Sequence, residues 1–191
     1  MIKLPIFLDM DEVICDFCGK LCNTYNAEYS KNLTPDDFKT WSLSDYLVGE
    51  GALEIFEREG FFADLKPIEG AVESIQELLE DDYETFLITS PINEHAVFDK
   101  YMWVKENLPF FPIRNLILVG NKGDVLSKFK GGILFDDCPE YLTKFRGITI
   151  CMDKPYNQNI KVDYRVSSWS EFNEIMKDRN DYFYNLRMLN G

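Results

Sequence analysis

Two pairs of aspartates stand at the ends of apolar segments that lie far apart in the chain. Asp9 and Asp11 close the segment LPIFLDMD, and Asp136 and Asp137 close the segment GGILFDD. Four carboxylates that meet at one place need a cation, because like charges at short range disfavour ionisation. Oxygen ligands with no histidine nearby favour a hard ion. The sequence therefore predicts a Mg²⁺ site, with Asp9 and Asp136 as the best candidates for direct ligands.

A bound metal ion would also change what the first pair can do. It offsets the repulsion between a carboxylate and a phosphate group, so Asp9 can attack phosphorus and form an aspartyl-phosphate. Asp11, two residues on, is placed to protonate the leaving alkoxide and later to take a proton from the hydrolytic water. Asp137 is expected to orient ligands or waters from behind the direct ligands. These residue types indicate phosphate-ester chemistry.

Hydroxyls and a lysine follow two further apolar segments. Thr89 and Ser90 end YETFLITS, and Lys122 comes just after NLILVG. The Thr89 side chain and the Ser90 backbone N–H can hold phosphate oxygens, and Lys122 can balance the remaining negative charge. Lys128 and Lys130 are nearby alternatives for the lysine.

These polar ends belong to an alternation of strand-like and helix-like segments. Apolar runs of strand length lie at residues 4–10, 83–90, 115–120, 131–137 and 147–152, with a shorter one at 162–166. Segments of helical period lie at residues 15–26, 67–80 and 93–107, and a last helix follows a capping box at Ser168 and Glu171. The alternation predicts an α/β fold with a Rossmann-like, mostly parallel sheet and helices on both faces. Such sheets bind ligands outside the carboxyl ends of their strands, so the polar ends should form one site.

The helical period also predicts which side chains face the core. The expected inward positions are Val72, Ile75 and Leu79, then Val97, Tyr101 and Val104, and finally Trp169, Phe172 and Met176. Residues 33–64 differ from the rest, since they are rich in aromatic residues, are interrupted by proline and glycine, and show no strand pattern. We expect them to form a small helical insertion.

Three cysteines raise a competing metal hypothesis. Cys15, Cys18 and Cys22 are close enough in sequence to suggest zinc or an iron–sulfur cluster. The same spacing puts them on one apolar face of a helix, and no second paired motif supplies the fourth ligand of a tetrahedral zinc site. We therefore expect buried, structural thiols. The single histidine, His95, is expected at an exposed helix position.

Composition excludes several other classes of protein. The 191 residues fit one domain with a modest insertion, and 46% hydrophobic residues can build a sizeable core. A net charge of −13 with no basic run argues against a large nucleic-acid interface. No segment has the length of a membrane span or the pattern of a signal peptide. Five cysteines without a disulfide-like spacing favour reduced thiols and a soluble cytoplasmic protein.

The motifs together resemble a known superfamily. LDMDEV, LITS, Lys122 and LFDD, in this order on these strand ends, resemble the haloacid dehalogenase (HAD) superfamily of phosphotransferases. DMDxVxxDF, the pattern GFFxxLxPxxGAVE at residues 60–73, and ITSP at residues 88–91 are similar to the 5′(3′)-deoxyribonucleotidase family. The similarity extends from Leu8 to about Leu142.

The resemblance implies an activity and a set of roles. It implies a Rossmann-like core at residues 1–16 and 66–191, a helical cap at residues 17–65, and Mg²⁺-dependent removal of phosphate from (deoxy)nucleoside 5′- or 3′-monophosphates. Asp9 would be the nucleophile and Asp11 the acid/base. The implied metal ligands are the Asp9 side chain, the Asp11 backbone carbonyl and Asp136. Phosphate would meet Thr89, Ser90 and Lys122, and the substrate's base and sugar would meet Phe17, Trp41 and the weaker candidate Phe56.

The chain departs from the family pattern at several positions. Glu12 replaces a glycine, so a positive φ there would be strained, and it adds a negative charge near the entrance. Gly120 and Asn121 stand where relatives often carry an Arg–Asp pair, and Asn93 stands where some carry a lysine. These departures leave the base preference and the 5′ or 3′ preference open.

Two other functions fit the same residues. One is a HAD phosphatase for a sugar phosphate or a nucleic-acid 3′-phosphate end, and low basicity argues against the latter. The other is a non-catalytic nucleotide sensor, against which the combination of Asp9, Asp11 and Lys122 argues. The expected partner is a small nucleotide and neither a nucleic acid nor a membrane. The sequence leaves the oligomeric state open, with a homodimer among the options.

Overall fold

One parallel sheet organises the molecule. The computed structural model describes residues 3–178, so residues 1–2 and 179–191 of the expected core range lie outside it. Within that part the sheet has six strands, all pairing in parallel: β1 (Ile6–Leu8), β2 (Thr85–Thr89), β3 (Leu116–Leu118), β4 (Ile133–Asp136), β5 (Ile148–Met152) and β6 (Tyr164–Val166). Each strand lies inside the apolar segment that predicted it. The predicted α/β fold is confirmed.

Helices connect the strands. The α-helices of the described residues are α1 (Phe17–Tyr29), α2 (Ala71–Glu80), α3 (Glu94–Asn107), α4 (Lys122–Leu126), α5 (Pro139–Lys144) and α6 (Trp169–Asp178). Short 3₁₀ helices span Pro35–Asp37, Leu43–Asp45, Ala52–Glu57, Ile113–Asn115 and Pro155–Asn157. The connections are therefore mostly of the strand–helix–strand type that a parallel sheet requires.

The strand order brings the polar strand ends together. The order is β3-β2-β1-β4-β5-β6, so the chain builds outward from β1 to one side and then returns to build the other. Leu8 pairs with Leu87 of β2 and with Phe135 of β4. The residues after Leu8 therefore emerge between the carboxyl ends of β2 and β4, which is the switch point where such sheets bind ligands.

Both faces of the sheet are buried, because alternate side chains of each strand point to opposite sides. Ile6 and Leu8 belong to the larger apolar cluster with α1, α2, α3 and α6. Phe7 belongs to the smaller cluster with Leu126 of α4 and Leu142 of α5. A strand buried on both faces is held firmly, so the residues that follow β1 start from a fixed position.

Helix α3 does not bury the face that its apolar residues predicted. Val104 is buried as expected, but Val97 is 42% and Tyr101 37% exposed. The buried face instead carries Lys100 and Trp103, whose indole N–H donates to the carbonyl of Leu65 at 2.7 Å. Lys100 forms an ion pair with Asp11, and this pair and the indole hydrogen bond outweigh the apolar periodicity, so the expectation was wrong for Val97 and Tyr101.

The other two helices follow the prediction more closely. In α2, Ile75 is buried, whereas the remaining expected positions, Val72 and Leu79, are only partly buried. In α6, the three expected residues are buried: Trp169, Phe172 and Met176. The Ser168 hydroxyl accepts from the backbone N–H of Glu171 at 3.3 Å, although the Glu171 carboxylate turns to the Ser167 backbone N–H at 2.7 Å. The capping box is thus only half formed.

The insertion expected at residues 33–64 follows α1 and contains three 3₁₀ helices, a tighter helical form than the sequence indicated. It is tied to α1 by tyrosine hydroxyls. Tyr25 donates to the carbonyl of Val48 at 3.1 Å, and Tyr29 donates to the carbonyl of Glu50 at 2.6 Å. These bonds hold a segment that lacks long regular elements against α1.

The cysteines are buried and unpaired. Cys18 and Cys22 lie on the buried face of α1, and Cys15 lies just before the helix. Burial raises the pKa of Cys22 to about 12, so its thiol stays protonated at neutral pH. Within residues 3–178, no cysteine belongs to a cluster placed to hold a metal ion. The thiols therefore fit the structural role that the sequence favoured.

Candidate active site

The loop after β1 presents two carboxylates at the centre of the sheet edge. Asp9 is 6% exposed, and its backbone N–H donates to the carbonyl of Phe135 at 3.0 Å. The chain then turns tightly, because the backbone N–H groups of Ile14 and Cys15 both donate to the carbonyl of Met10. This turn places Asp11 at the edge of the pocket, with 31% of its side chain exposed.

A cluster of three buried carboxylates lies at this edge. Oxygens of Asp9, Asp136 and Asp137 lie within 4.8 Å of one another. Burial, together with repulsion from Asp136 and Asp11, raises the pKa of Asp9 to about 7, although Lys122 opposes the shift. Burial likewise raises the pKa of Asp137 well above its usual range. Oδ1 of Asp137 is buried and accepts no hydrogen bond from any described residue. An oxygen-only donor set with an unpartnered buried oxygen fits a hard divalent cation.

Lys122 is the lysine that reaches the cluster. Its Nζ lies 2.8 Å from Oδ1 of Asp9 and 2.7 Å from Oδ2 of Asp136. Burial alone would lower the pKa of Lys122, but the two carboxylates raise it above its ordinary value, so the ammonium is retained. The alternatives Lys128 and Lys130 are exposed.

The start of α4 holds this lysine in place. Asn121 accepts from the backbone N–H of Gly123 at 2.9 Å and so caps the helix. The backbone N–H of Lys122 donates to the Ser90 hydroxyl at 3.0 Å. Thr89 is buried and Ser90 partly buried, and both line the same pocket as Lys122. The predicted acids, hydroxyls and lysine are therefore gathered at one place.

A second buried lysine was missed by the sequence analysis. Lys100 of α3 is 1% exposed, and its Nζ lies 2.6 and 2.7 Å from the two oxygens of Asp11. It also donates to the Thr89 hydroxyl at 3.2 Å and lies 4.6 Å from the centre of the Phe62 ring. The signal in the sequence is its spacing, three residues before Trp103 on the same helix face.

Glu12 has the positive φ that its position predicted, at 62°. Glu12 lines the pocket, as expected for a residue near the entrance, but it is 5% exposed and its negative charge is paired. Its carboxylate accepts from the Cys18 backbone N–H at 2.6 Å and from Nζ of Lys154 at 2.6 Å. These two bonds offset the backbone strain, which usually amounts to about 1–3 kcal/mol.

Asp9, Asp11 and Asp137 line a pocket of about 500 Å³. All three residues expected to meet the base and sugar line it: Phe17, Trp41 and Phe56. The Phe17 ring lies 5.8 Å from the Phe56 ring, and Trp41 is 54% exposed. A pocket of this volume that is lined by both aromatic and charged side chains suits a planar group joined to an anion.

The other departures from the family pattern lie close to this pocket. Asn93 caps α3, accepting from the backbone N–H of Ala96 at 2.9 Å and donating to the carbonyl of Glu57 at 2.8 Å. Gly120 lines the pocket, so the position adds no charge to it.

None of the helices in residues 3–178 combines the length and apolarity needed to span a bilayer.

Comparison with known proteins places this site in a family. The family model described as 5′ nucleotidase, deoxy (Pyrimidine), cytosolic type C protein matches residues 2–180. A 5′(3′)-deoxyribonucleotidase of Bacillus subtilis is 30% identical over 173 residues, which cover 88% of this chain and 96% of the relative.

Two solved structures share the fold. A Clostridium acetobutylicum protein described as a predicted phosphatase has a TM-score of 0.64 at 16% identity, over 93% of this chain and 100% of that one. The HAD-hydrolase YfnB of Bacillus subtilis, solved with bound magnesium, has a TM-score of 0.60 at 15% identity, over 92% and 99%. With the family model matching nearly the whole chain, this protein belongs to the 5′(3′)-deoxyribonucleotidase family, on the HAD-hydrolase fold.

Proposed function

We propose that the protein is a Mg²⁺-dependent phosphatase that removes phosphate from (deoxy)nucleoside 5′- or 3′-monophosphates through an aspartyl-phosphate on Asp9. The observation that carries this proposal is the position of Asp9, which lies beside the Lys122 ammonium and two further carboxylates and lines an aromatic pocket. Family membership supports a hydrolase of phosphate monoesters.

The metal ligands that we propose are the Asp9 and Asp136 side chains and the backbone carbonyl of Asp11, with Asp137 orienting ligands or waters beside them. The unpartnered buried oxygen of Asp137 supports a cation at this place. When bound, Mg²⁺ would neutralise part of the phosphate charge and offset its repulsion by the carboxylates. The cluster with Lys122 alone holds three acids against one ammonium, so a further cation is electrostatically favourable.

The remaining side chains supply the chemistry on phosphorus. The Asp9 carboxylate attacks, and Asp11 delivers a proton to the oxygen of the departing nucleoside. Thr89, the Ser90 backbone N–H and Lys122 hold the phosphate oxygens while charge moves onto them. Asp11 then takes a proton from the water that hydrolyses the aspartyl-phosphate, and free phosphate leaves.

We also propose that residues 17–65 act as the cap that closes the pocket and selects the substrate. Phe17, Trp41 and Phe56 come from this segment and line the same pocket as Asp9, Asp11 and Asp137. An aromatic wall favours the flat face of a nucleobase over a sugar that lacks one.

We propose that the enzyme is cytoplasmic. The five free cysteines support this proposal, because free thiols suit a reducing compartment.

Phosphate release from a panel of substrates tests the proposal. The panel holds dTMP, dUMP, dGMP, UMP, a 3′-monophosphate and two sugar phosphates, each with Mg²⁺ and with EDTA, beside Asp9→Asn. We expect Mg²⁺-dependent release from the nucleotides that the variant has lost. Turnover retained in Asp9→Asn would rule out the covalent mechanism. Release only from sugar phosphates would keep the chemistry and replace the substrate.

A further inference from the structure

The 3₁₀ turn after β5 contacts the active site through hydrogen bonds, although it belongs to a part of the chain with no sequence motif. The turn spans Pro155–Asn157, and Asn157 is fully buried. The amide of Asn157 donates to the backbone carbonyls of Asp137 and Met152, both at 2.9 Å. Arg165 of β6 donates to the Asn157 side-chain oxygen at 2.7 Å. These bonds fix the turn to Asp137, which follows β4, and to strands β5 and β6.

The middle residue of this turn contacts the acidic cluster. The Tyr156 hydroxyl donates to Oδ2 of Asp137 at 2.5 Å. The other carboxylate oxygen of Asp137 has no partner among the described residues and is buried. One oxygen is thus held by the tyrosine, which leaves the second oriented and available. A hydrogen bond to the outer side of an acid in this way fixes the rotation of its carboxylate.

The ring of the same tyrosine contacts the insertion. Tyr156 and Trp41 meet edge to face, with ring centres 5.3 Å apart and an interplanar angle of 79°. Both rings line the pocket. Trp41 is 54% exposed, so the contact with the Tyr156 ring helps to fix the position of its indole. A rigid edge-to-face pair of this kind is worth about 0.5–1.5 kcal/mol beyond the area that it buries.

We propose that Tyr156 is a positioning and specificity-determining residue, whose hydroxyl orients Asp137 toward the metal ion and whose ring holds Trp41 at the wall where the planar part of the substrate packs. The inference rests on the proposed function of the site. The hydroxyl and the ring act on different partners, so two substitutions separate their roles.

Tyr156→Phe removes the hydroxyl and keeps the ring. We expect the dissociation constant for Mg²⁺, measured by calorimetry on the nucleotide-free protein, to rise about 10–100-fold, as when other hydrogen-bonding residues behind the direct ligands of a metal ion are lost. At saturating Mg²⁺, KM for dTMP should stay at the wild-type value, because the ring still supports Trp41. Wild-type affinity for Mg²⁺ in this variant would overturn the role of the hydroxyl.

Tyr156→Leu removes the ring as well. We expect the same loss of Mg²⁺ affinity and, at saturating Mg²⁺, a KM for dTMP that rises about 10-fold, equivalent to about 1.4 kcal/mol. KM for p-nitrophenyl phosphate, which carries no base, should change little. An equal rise for both substrates would overturn the role of the ring, since general loosening of the site affects both alike.

Tyr101→Phe is the matched control, because Tyr101 is partly exposed on α3 and does not line the pocket. It should match the wild type in both measurements. The two proposals fail in different ways. A wild-type protein that binds Mg²⁺ but hydrolyses no nucleotide would refute the proposed function while the calorimetry of Tyr156→Phe still supports the hydroxyl's role. Normal nucleotide turnover with unchanged Mg²⁺ affinity in Tyr156→Phe would refute this inference alone.

Discussion

Replacement of Lys100 by methionine removes one charge from the site and keeps most of the side-chain volume. Lys100 is buried and contacts both oxygens of Asp11, at 2.6 and 2.7 Å. The Asp11 side chain is 31% exposed, so the freed carboxylate can regain water. We therefore expect a loss of unfolding free energy of about 3 kcal/mol, the lower end of the range for broken buried ion pairs.

The effect on catalysis should depend on the leaving group. Lys100 fixes the position of Asp11, and general acid–base groups contribute roughly 10²–10⁴-fold to rates. A displaced acid should lower kcat/KM for dTMP about 10²-fold, which equals about 2.7 kcal/mol in the barrier. p-Nitrophenolate departs without needing a proton, so kcat/KM for p-nitrophenyl phosphate should fall far less.

Steady-state kinetics on both substrates at saturating Mg²⁺ measures this difference directly. Lys105→Met is the control, because Lys105 is exposed on the same helix. It should change neither the kinetics nor the urea midpoint. An equal loss on the two substrates would refute the role of Lys100 in positioning the acid. Unchanged kinetics together with an unchanged urea midpoint would refute the ion pair itself.

Three further changes test other parts of the structure. Trp41→Ala should raise KM for dTMP about 10-fold, or about 1.4 kcal/mol, and leave KM for p-nitrophenyl phosphate nearly unchanged; equal changes would remove Trp41 from the base pocket. In the metal-free protein the Asp9 pKa is raised from 3.8 to about 7, so between these values the folded state holds a proton that the unfolded state has lost. The contribution of Asp9 to the free energy of unfolding should therefore fall as pH rises through this range. Urea unfolding in EDTA at pH 5 and pH 7.5 should show a larger decline in this free energy for the wild type than for Asp9→Asn. A smaller decline in the wild type would contradict the burial argument. Joint replacement of Cys15, Cys18 and Cys22 by alanine should lower stability by about 1 kcal/mol per site without changing metal content after purification, and loss of a stoichiometric metal would revive the thiol-ligand hypothesis.

The sequence predicted the sheet and most of the acidic site because both rest on local signals. Each strand is a short apolar run bounded by polar residues, and Asp9 and Asp136 follow directly where two such runs end. A parallel sheet places those ends at one edge, so the proximity of residues 127 positions apart in sequence follows from topology alone.

The contacts that the sequence could not predict are chosen by tertiary partners. Lys100 faces inward because its ammonium pairs with the Asp11 carboxylate, 89 residues away in sequence. Glu12 and Lys154 are 142 residues apart, and neither has a local signal for burial. The 3₁₀ helices of the insertion are too short to leave a periodic pattern, so their bounds depend on packing against α1.

The uneven burial of the three tryptophans gives the protein an optical reporter of its own pocket. Trp103 and Trp169 are 1% and 0% exposed, whereas Trp41 is 54% exposed at the pocket wall. Acrylamide in solution should therefore quench one red-shifted component of the indole emission and spare the other two. Any molecule that fills the pocket would protect the Trp41 emission from acrylamide. Occupancy of the pocket can therefore be measured by tryptophan fluorescence, without a label and without turnover.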